Sequence, residues 1–107
     1  MTTNHRRIFY AEKEDATMKK YETTCWGIDK YIYDVQRYMM SQGVFLDDAI
    51  RATYALSWWI NTGRACSEAI SLLLQKQPFV IAKVLMKGGS IQEQVDNIKR
   101  KIGFITD

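Results

Sequence analysis

The sequence predicts an all-α fold, a helical bundle, on the strength of three observations. Apolar residues recur at alternating steps of three and four along two long stretches, which is the pattern of a buried helix face. Pro78 is the only proline in 107 residues, and this scarcity favours long helices over a turn-rich β fold. The sequence Ser90-Ile91-Gln92-Glu93 is a capping box that marks a further helix start. The length corresponds to a single domain, residues 1–107.

The first predicted helix covers about residues 16–42 and follows a flexible basic arm at residues 1–11. Its apolar positions keep a heptad spacing for three heptads, and Gly43 stands where helices commonly end in a glycine. This spacing predicts a side of the helix that packs against another helix. The apolar positions are Met18, Tyr21, Cys25, Ile28, Ile32, Val35 and Met39.

The second predicted helix covers about residues 47–77 and repeats the same spacing. The connection from the first helix is so short that the two helices must form a long antiparallel hairpin. Gly63 falls in the middle of this helix, where we interpret it as space for a neighbouring tryptophan or as a bend. Between Ala49 and Gln75 only Arg51, Arg64 and Glu68 are charged, so we expect burial on several sides.

Two short helices are predicted to complete the bundle. The apolar run at about residues 78–87 has Pro78 in front and Gly88 behind, which favours a short buried helix. The last helix, at about residues 91–102, follows the capping box and presents Ile and Val on one side. Gly103 and Phe104 then match the pattern of a helix end that is closed by a glycine and an apolar contact.

No arrangement of residues that is typical of catalysis can be recognised in this sequence. The only histidine, His5, lies in the basic arm, so no catalytic triad or metal site can be assembled around an ordered imidazole. No phosphate-binding loop or dinucleotide fingerprint is present. We therefore expect a protein that is not an enzyme and that uses no cofactor or metal. Cys25 and Cys66 are interpreted as small buried apolar residues with free thiols.

Composition and patterning also bear on the compartment. No stretch of about 18 uncharged apolar residues occurs, so no membrane span is expected. The first ten residues lack the apolar core of a signal peptide, and two unpaired cysteines suit a reducing environment. These features predict a cytoplasmic protein.

The residue types on the two long helices favour binding to another macromolecule. Tyr and Trp are enriched in the cores of protein interfaces, and several here repeat at seven-residue intervals. We interpret the chain as a helical interaction protein (an inhibitor, adaptor or assembly factor) that forms a homo-oligomer and has a protein partner. The same rings could instead fold over the edges of the bundle. The candidate interface residues are Trp26, Tyr31, Tyr33, Tyr38, Trp58 and Arg64.

Nucleic-acid binding is the alternative interpretation. The last two predicted helices and the Gly88-Gly89 turn between them have the arrangement of a helix-turn-helix. Against it, Glu93 near the start of the last helix would repel phosphate, and the formal net charge is only +3. The candidate contacts are Arg6, Arg7, Lys99, Arg100 and Lys101.

Overall fold

A computed structural model describes residues 20–104, and within that range the secondary structure consists of six α-helices and no strand. The prediction of an all-α fold is therefore confirmed. The basic arm at residues 1–11, with Arg6 and Arg7, lies outside the described residues. The helices are α1 (Cys25–Ser41), α2 (Leu46–Ala52), α3 (Tyr54–Asn61), α4 (Ser67–Leu74), α5 (Pro78–Leu85) and α6 (Ile91–Ile102).

Helix α1 begins at Cys25, so the start predicted near residue 16 is wrong over residues 20–24. The Thr24 hydroxyl accepts a hydrogen bond from the backbone N–H of Gly27 at 3.0 Å and caps the helix. Gly27 is buried, and any larger side chain there would overlap the carbonyl oxygen of Glu22. The segment around Glu22 can therefore pass this close to the first turn of α1 only because residue 27 is a glycine. Residues 16–19 lie outside the described range.

The segment that precedes α1 reverses direction and packs on the helix. The ring of Tyr21 meets the ring of Tyr31 edge-on, with centroids 5.0 Å apart and an interplanar angle of 84°. The Tyr21 hydroxyl donates to Oδ2 of Asp34 at 2.6 Å. In a continuous helix Tyr21 would lie about 15 Å along the axis from Tyr31. The contact instead fixes the reversed path of the chain.

The second long helix predicted at residues 47–77 is wrong, because the chain forms three short helices there. The first interruption is at Thr53, which is buried between α2 and α3. Its hydroxyl lies 3.1 Å from the carbonyl of Ala49 and accepts from Nε2 of Gln36 at 2.9 Å. A threonine that bonds back to the preceding turn bends a helix, and here the bond from α1 holds the bend in place.

The second interruption is at Gly63, which ends α3 rather than making room for a tryptophan. Gly63 has a φ of +76°, a left-handed conformation that side chains other than glycine rarely adopt. Its N–H bonds the carbonyl of Ile60 at 3.2 Å, and the N–H of Arg64 bonds that of Trp59, also at 3.2 Å. This pair of bonds is a Schellman motif, which closes a helix end and turns the chain away.

The last two helices occupy Pro78–Leu85 and Ile91–Ile102, with Pro78 in the first turn of α5. The capping box before α6 is present, because Ser90 and Glu93 exchange backbone and side-chain hydrogen bonds. At the other end, the N–H of Phe104 bonds the carbonyl of Lys99 at 2.9 Å. Both ends of α6 are thus specified by local sequence.

The core lies where α1, α3, α5 and α6 meet. Helix α1 packs most extensively against α5, and α6 packs against α3, α4 and α5. The long hairpin, in which residues 47–77 would lie along α1, is therefore not the observed arrangement. The two interruptions turn the chain so that α5 covers α1. The largest fully buried side chains are Trp59, Tyr31, Met39, Leu56, Leu73, Ile81, Leu85, Ile98, Val35 and Val95.

Candidate interaction surface

The side of α1 that faces away from the core carries a row of large apolar side chains. Trp26, Tyr33 and Met40 are 78%, 58% and 44% exposed. They repeat every seven residues and therefore lie close to one line along the helix, over about 21 Å. We call these three residues the outer stripe. Isolated exposed apolar residues are normal on a protein, but an aligned set of this size is typical of an interface.

Charged side chains border the outer stripe on both sides. Asp29, Lys30 and Arg37 are all exposed. The guanidinium carbon of Arg37 lies 5.9 Å from the centre of the Tyr33 ring, at the outer limit of a cation–π contact. Arg37 thus lies beside the middle of the outer stripe. The border of charge around an apolar strip matches the rim and core of a protein interface.

A cavity of about 560 Å³ adjoins the C-terminal half of the outer stripe. Leu46, from the start of α2, lines this cavity together with Tyr33 and Met40. The other lining residues come from the last two turns of α1 and the residues that follow it. The surface is therefore concave near Met40, whereas Trp26, at the other end, is the most exposed of the three residues. The remaining lining residues are Gln36, Arg37, Ser41 and Gly43.

Tyr31 and Tyr38, which the sequence placed at the interface, are buried in the core, so that prediction is wrong for both. Tyr31 is 0% exposed and Tyr38 is 5% exposed. The ring of Tyr38 lies 5.9 Å from the ring of Phe79 in α5. On a helix, these positions point almost opposite to Tyr33 because they lie two residues before it and five residues after it.

Tyr31 has an unusual environment for a phenol. Its hydroxyl has no hydrogen-bond partner among residues 20–104, and neither has the indole N–H of buried Trp59. Burial raises the pKa of Tyr31 far above its usual value near 10, because ionisation would place an unsolvated charge in the core. Tyr31 therefore contributes as an apolar core residue and is not placed to react with a ligand.

Trp58 and Arg64 form a local stack at the end of α3. The guanidinium carbon of Arg64 lies 4.7 Å from the centre of the Trp58 ring. The Schellman motif at Gly63 turns the chain back and brings Arg64 over the ring. Trp58 is half-buried and Arg64 is exposed, so the pair is accessible but separate from the outer stripe in sequence.

Both cysteines are exposed, so the interpretation that they are buried apolar residues is wrong. Cys25 is the first residue of α1 and Cys66 immediately precedes α4. The two predicted long helices would each have contained one cysteine within their apolar side. The helices instead begin at these positions, where side chains point towards solvent. Their thiols are unpaired.

Three of the five basic residues proposed for nucleic-acid contact, Lys99, Arg100 and Lys101, lie in the last turn of α6. Arg100 and Lys101 are exposed and Lys99 is half-buried. A cluster of this kind is also favoured by the partial negative charge at a helix C-terminus. At the opposite end, Glu93 is committed to the capping box, so a carboxylate occupies the start of the helix that would read bases.

Three exposed apolar residues near the start of α2 were missed by the sequence analysis. Phe45, Leu46 and Ile50 are 79%, 51% and 50% exposed. The sequence predicts a short connection at 43–46 and places the later apolar residues in a buried helix. A signal was present, because Phe45 and Leu46 are adjacent large apolar residues in a predicted turn, where polar residues are usual.

A second groove, of about 480 Å³, lies between α2, α3 and the turn from α5 to α6. Tyr54, Met86 and Ile91 contribute exposed apolar surface to it. Arg51 and Asp48 form an ion pair at 3.3 Å among its lining residues. Because these two charges neutralise one another, the groove offers no net charge to select a ligand.

The described range contains no group of three or more His, Cys, Asp or Glu side chains that could hold a metal ion. None of the described helices has the length and apolar character needed to cross a bilayer. Comparison with protein-family models, with curated proteins and with solved structures found no match to this chain.

Proposed function

We propose that this protein is a non-enzymatic helical interaction protein that self-associates and binds a protein partner through the outer stripe of α1. The observation that carries the proposal is the exposure of Trp26, Tyr33 and Met40 in one line on the longest described helix. An inhibitor, an adaptor or an assembly factor would each act in this way, by contact rather than by chemistry.

Three features support this proposal. Removing the outer stripe from water is favourable, at about 25 cal/mol for each Å² of apolar surface. Trp and Tyr are the residue types that most often dominate binding energy at protein interfaces. The stripe also lies on a helix whose opposite side is packed in the core, so its side chains are presented on a rigid element.

Nucleic-acid binding through the last two helices receives less support. Those of its basic residues that the structure describes lie in the last turn of α6, whereas the first turn, which enters the groove in helix-turn-helix proteins, carries Glu93. Phosphate contacts would have to form without that turn.

The test is sedimentation equilibrium over a wide concentration range, from low to high micromolar. We expect the wild type to show a mass above that of the monomer at the upper end, and the Trp26→Ser/Met40→Ser variant to remain monomeric. A matched control is Tyr54→Ser/Met86→Ser, which removes exposed apolar side chains from the second groove instead. The control should associate like the wild type.

A wild type that stays monomeric throughout would contradict self-association, and equal behaviour of both variants would contradict the role of the stripe. The partner is sought with the wild type and the stripe variant as paired baits in an extract of the source cells. A protein retained by both baits would not bind through the stripe. Salt-dependent binding to DNA that Lys99→Ala/Arg100→Ala/Lys101→Ala abolishes would favour the nucleic-acid alternative.

A further inference from the structure

Residues 20–23, directly before α1, lie back across that helix, and we call this segment the strap. Lys20, Glu22 and Thr23 are exposed, and Tyr21 is half-buried. Within residues 20–104, the backbone of the strap forms no backbone–backbone hydrogen bond to the rest of the chain. A segment with few buried contacts and few backbone hydrogen bonds opens at a lower free energy than the whole fold. The strap is therefore a part of the molecule that is suited to local opening.

Tyr21 fastens the strap to two residues of α1 that lie about one turn apart. Its ring meets the ring of Tyr31 edge-on at 5.0 Å, and its hydroxyl donates to Oδ2 of Asp34 at 2.6 Å. Tyr31 is 0% exposed while the strap is in this position. Lifting the strap would break the bond to Asp34 and uncover the part of Tyr31 that the Tyr21 ring contacts.

Gly27 allows the strap to lie this close to α1. A Cβ atom at residue 27 would overlap the carbonyl oxygen of Glu22, so alanine is incompatible with the closed position of the strap. Gly27 is also the only glycine of α1, and a glycine inside a helix is less favourable than alanine. One position of α1 is thus occupied by a residue that weakens the helix and admits the strap.

Tyr38 offers a contrast on the buried side of the same helix. It is 5% exposed, and its ring lies 5.9 Å from the ring of Phe79 in α5. Helix α5 packs extensively on α1, so uncovering Tyr38 requires displacement of a core helix. Tyr31 is contacted by the strap instead. We therefore expect Tyr31 to become accessible in folded molecules and Tyr38 to become accessible only when the bundle unfolds.

We infer that the strap opens and closes on α1 while the bundle stays folded, and that Tyr21 in the closed strap shields Tyr31 and the Asp34 carboxylate. The strap lies on the side of α1 opposite to the outer stripe, so it opens whether or not the protein self-associates. The described contacts that distinguish the two forms are mainly those of one side chain. Single substitutions at Tyr21 or Gly27 should therefore shift the balance between them.

The test is nitration of the full chain with tetranitromethane at mildly alkaline pH, with the modified tyrosines located by mass spectrometry. In the wild type, Tyr31 should react about threefold or more faster than Tyr38. Gly27→Ala excludes the closed strap and should raise the rate at Tyr31 by about tenfold or more. Tyr21→Phe removes only the bond to Asp34 and should raise that rate by about threefold to tenfold. The rate at Tyr38 should stay unchanged in both variants.

The matched control is Asp29→Ala, which also places an alanine in the first half of α1. Asp29 is exposed and lies about 200° around the helix from Gly27, away from the strap. Its rate at Tyr31 should stay within about twofold of the wild type, although alanine raises the helix propensity of α1 here too. Exposed Tyr33 gives the rate of an accessible phenol in every protein. Circular dichroism verifies that each variant is folded.

The remaining outcomes would overturn the inference. Equal rates at Tyr31 and Tyr38 in the wild type, or a parallel rise of both in the variants, would mean that Tyr31 is uncovered only by unfolding of the bundle. A rate at Tyr31 that neither variant changes would mean that the strap does not shield this residue. If Gly27→Ala fails to fold, Tyr21→Phe decides the question, because it removes a single oxygen atom and leaves the ring in place.

Discussion

Two aromatic rows run along α1 at seven-residue spacing, and they lie in opposite environments. Tyr31 and Tyr38 are packed in the core against the segment before α1 and against α5. Trp26 and Tyr33, with Met40, are exposed to solvent on the outer side of the helix. Heptad spacing therefore indicates that aromatic residues share one side of a helix. It does not indicate whether that side packs against another part of the same chain or against a different molecule.

The difference comes from the path of the chain after α1. A continuous helix at residues 47–77 would itself have packed along α1, in place of α5. The breaks at Thr53 and Gly63 bring α5 onto α1, where it covers Tyr38. Among residues 20–104, no helix covers the outer stripe, and its three side chains remain exposed. One set of rings thus stabilises the fold and the other remains available for binding.

The largest expected effect comes from removing a ring on the buried side. Tyr31→Ala should lower the free energy of unfolding by about 3–5 kcal/mol, because it leaves a large cavity in the core. The matched change Tyr33→Ala, on the exposed side, should alter it by less than about 0.5 kcal/mol at concentrations where the protein is monomeric. Urea denaturation of both variants measures the contrast. Similar losses of unfolding free energy in the two variants would contradict the assignment of Tyr31 to the core and of Tyr33 to the surface.

An intermediate effect is expected where the chain is turned towards α1. Gly63→Ala forces a side chain into a left-handed conformation and should cost about 1–2 kcal/mol of stability. The exposed residue Asn61, in the last turn of α3, provides the control, and Asn61→Ala should cost less than about 0.5 kcal/mol. Thermal or urea denaturation reports both. A neutral Gly63→Ala would show that this helix end does not help to direct the chain.

The smallest effect concerns the ionisation of Tyr31 at alkaline pH. Burial raises the pKa of Tyr31 in the folded state, whereas the unfolded chain ionises near 10. The contribution of un-ionised Tyr31 to the free energy of unfolding is fully present below pH 10. It is lost as the pH rises further, because the unfolded chain then ionises more readily than the folded one. At pH 11 the wild type should have lost about 1.4 kcal/mol more than Tyr31→Phe, relative to pH 9.

Urea denaturation of the two proteins between pH 9 and 11 measures this difference, since the lysine contributions cancel in the comparison. Below pH 10, Tyr31→Phe should match or slightly exceed the wild type in stability. The hydroxyl that it removes is buried without a hydrogen-bond partner among the described residues. Parallel pH profiles for the two proteins would contradict the buried environment of Tyr31.

Local signals in the sequence were sufficient for the helix ends that short motifs define. The capping box at Ser90 and the glycines at Gly43 and Gly103 specify their helix ends through bonds within a few residues. The all-α class follows from the same periodicity and from the scarcity of proline. These features depend on neighbouring residues alone, and this is why they can be read without the fold.

The candidate site was only partly predictable. Trp26 and Tyr33 lie on the exposed side as expected, but Tyr31 and Tyr38 have the same residue type and spacing and are buried. Phe45 and Leu46 were not recognised, because an apolar pair in a connection has no periodicity to interpret. Exposure depends on which element packs on each side of the helix, and that is a property of the whole chain.

By itself, the sequence determined that this protein is helical, where several helices end, and that α1 carries aligned aromatic residues. The tertiary structure decided that the segment from Leu46 to Leu74 is three helices and that α5 covers one side of α1. The physical reason lies at Thr53, whose bend is held by Gln36 from a different helix. Hydrogen bonds between distant residues form only once the chain has folded, so no local pattern reports them.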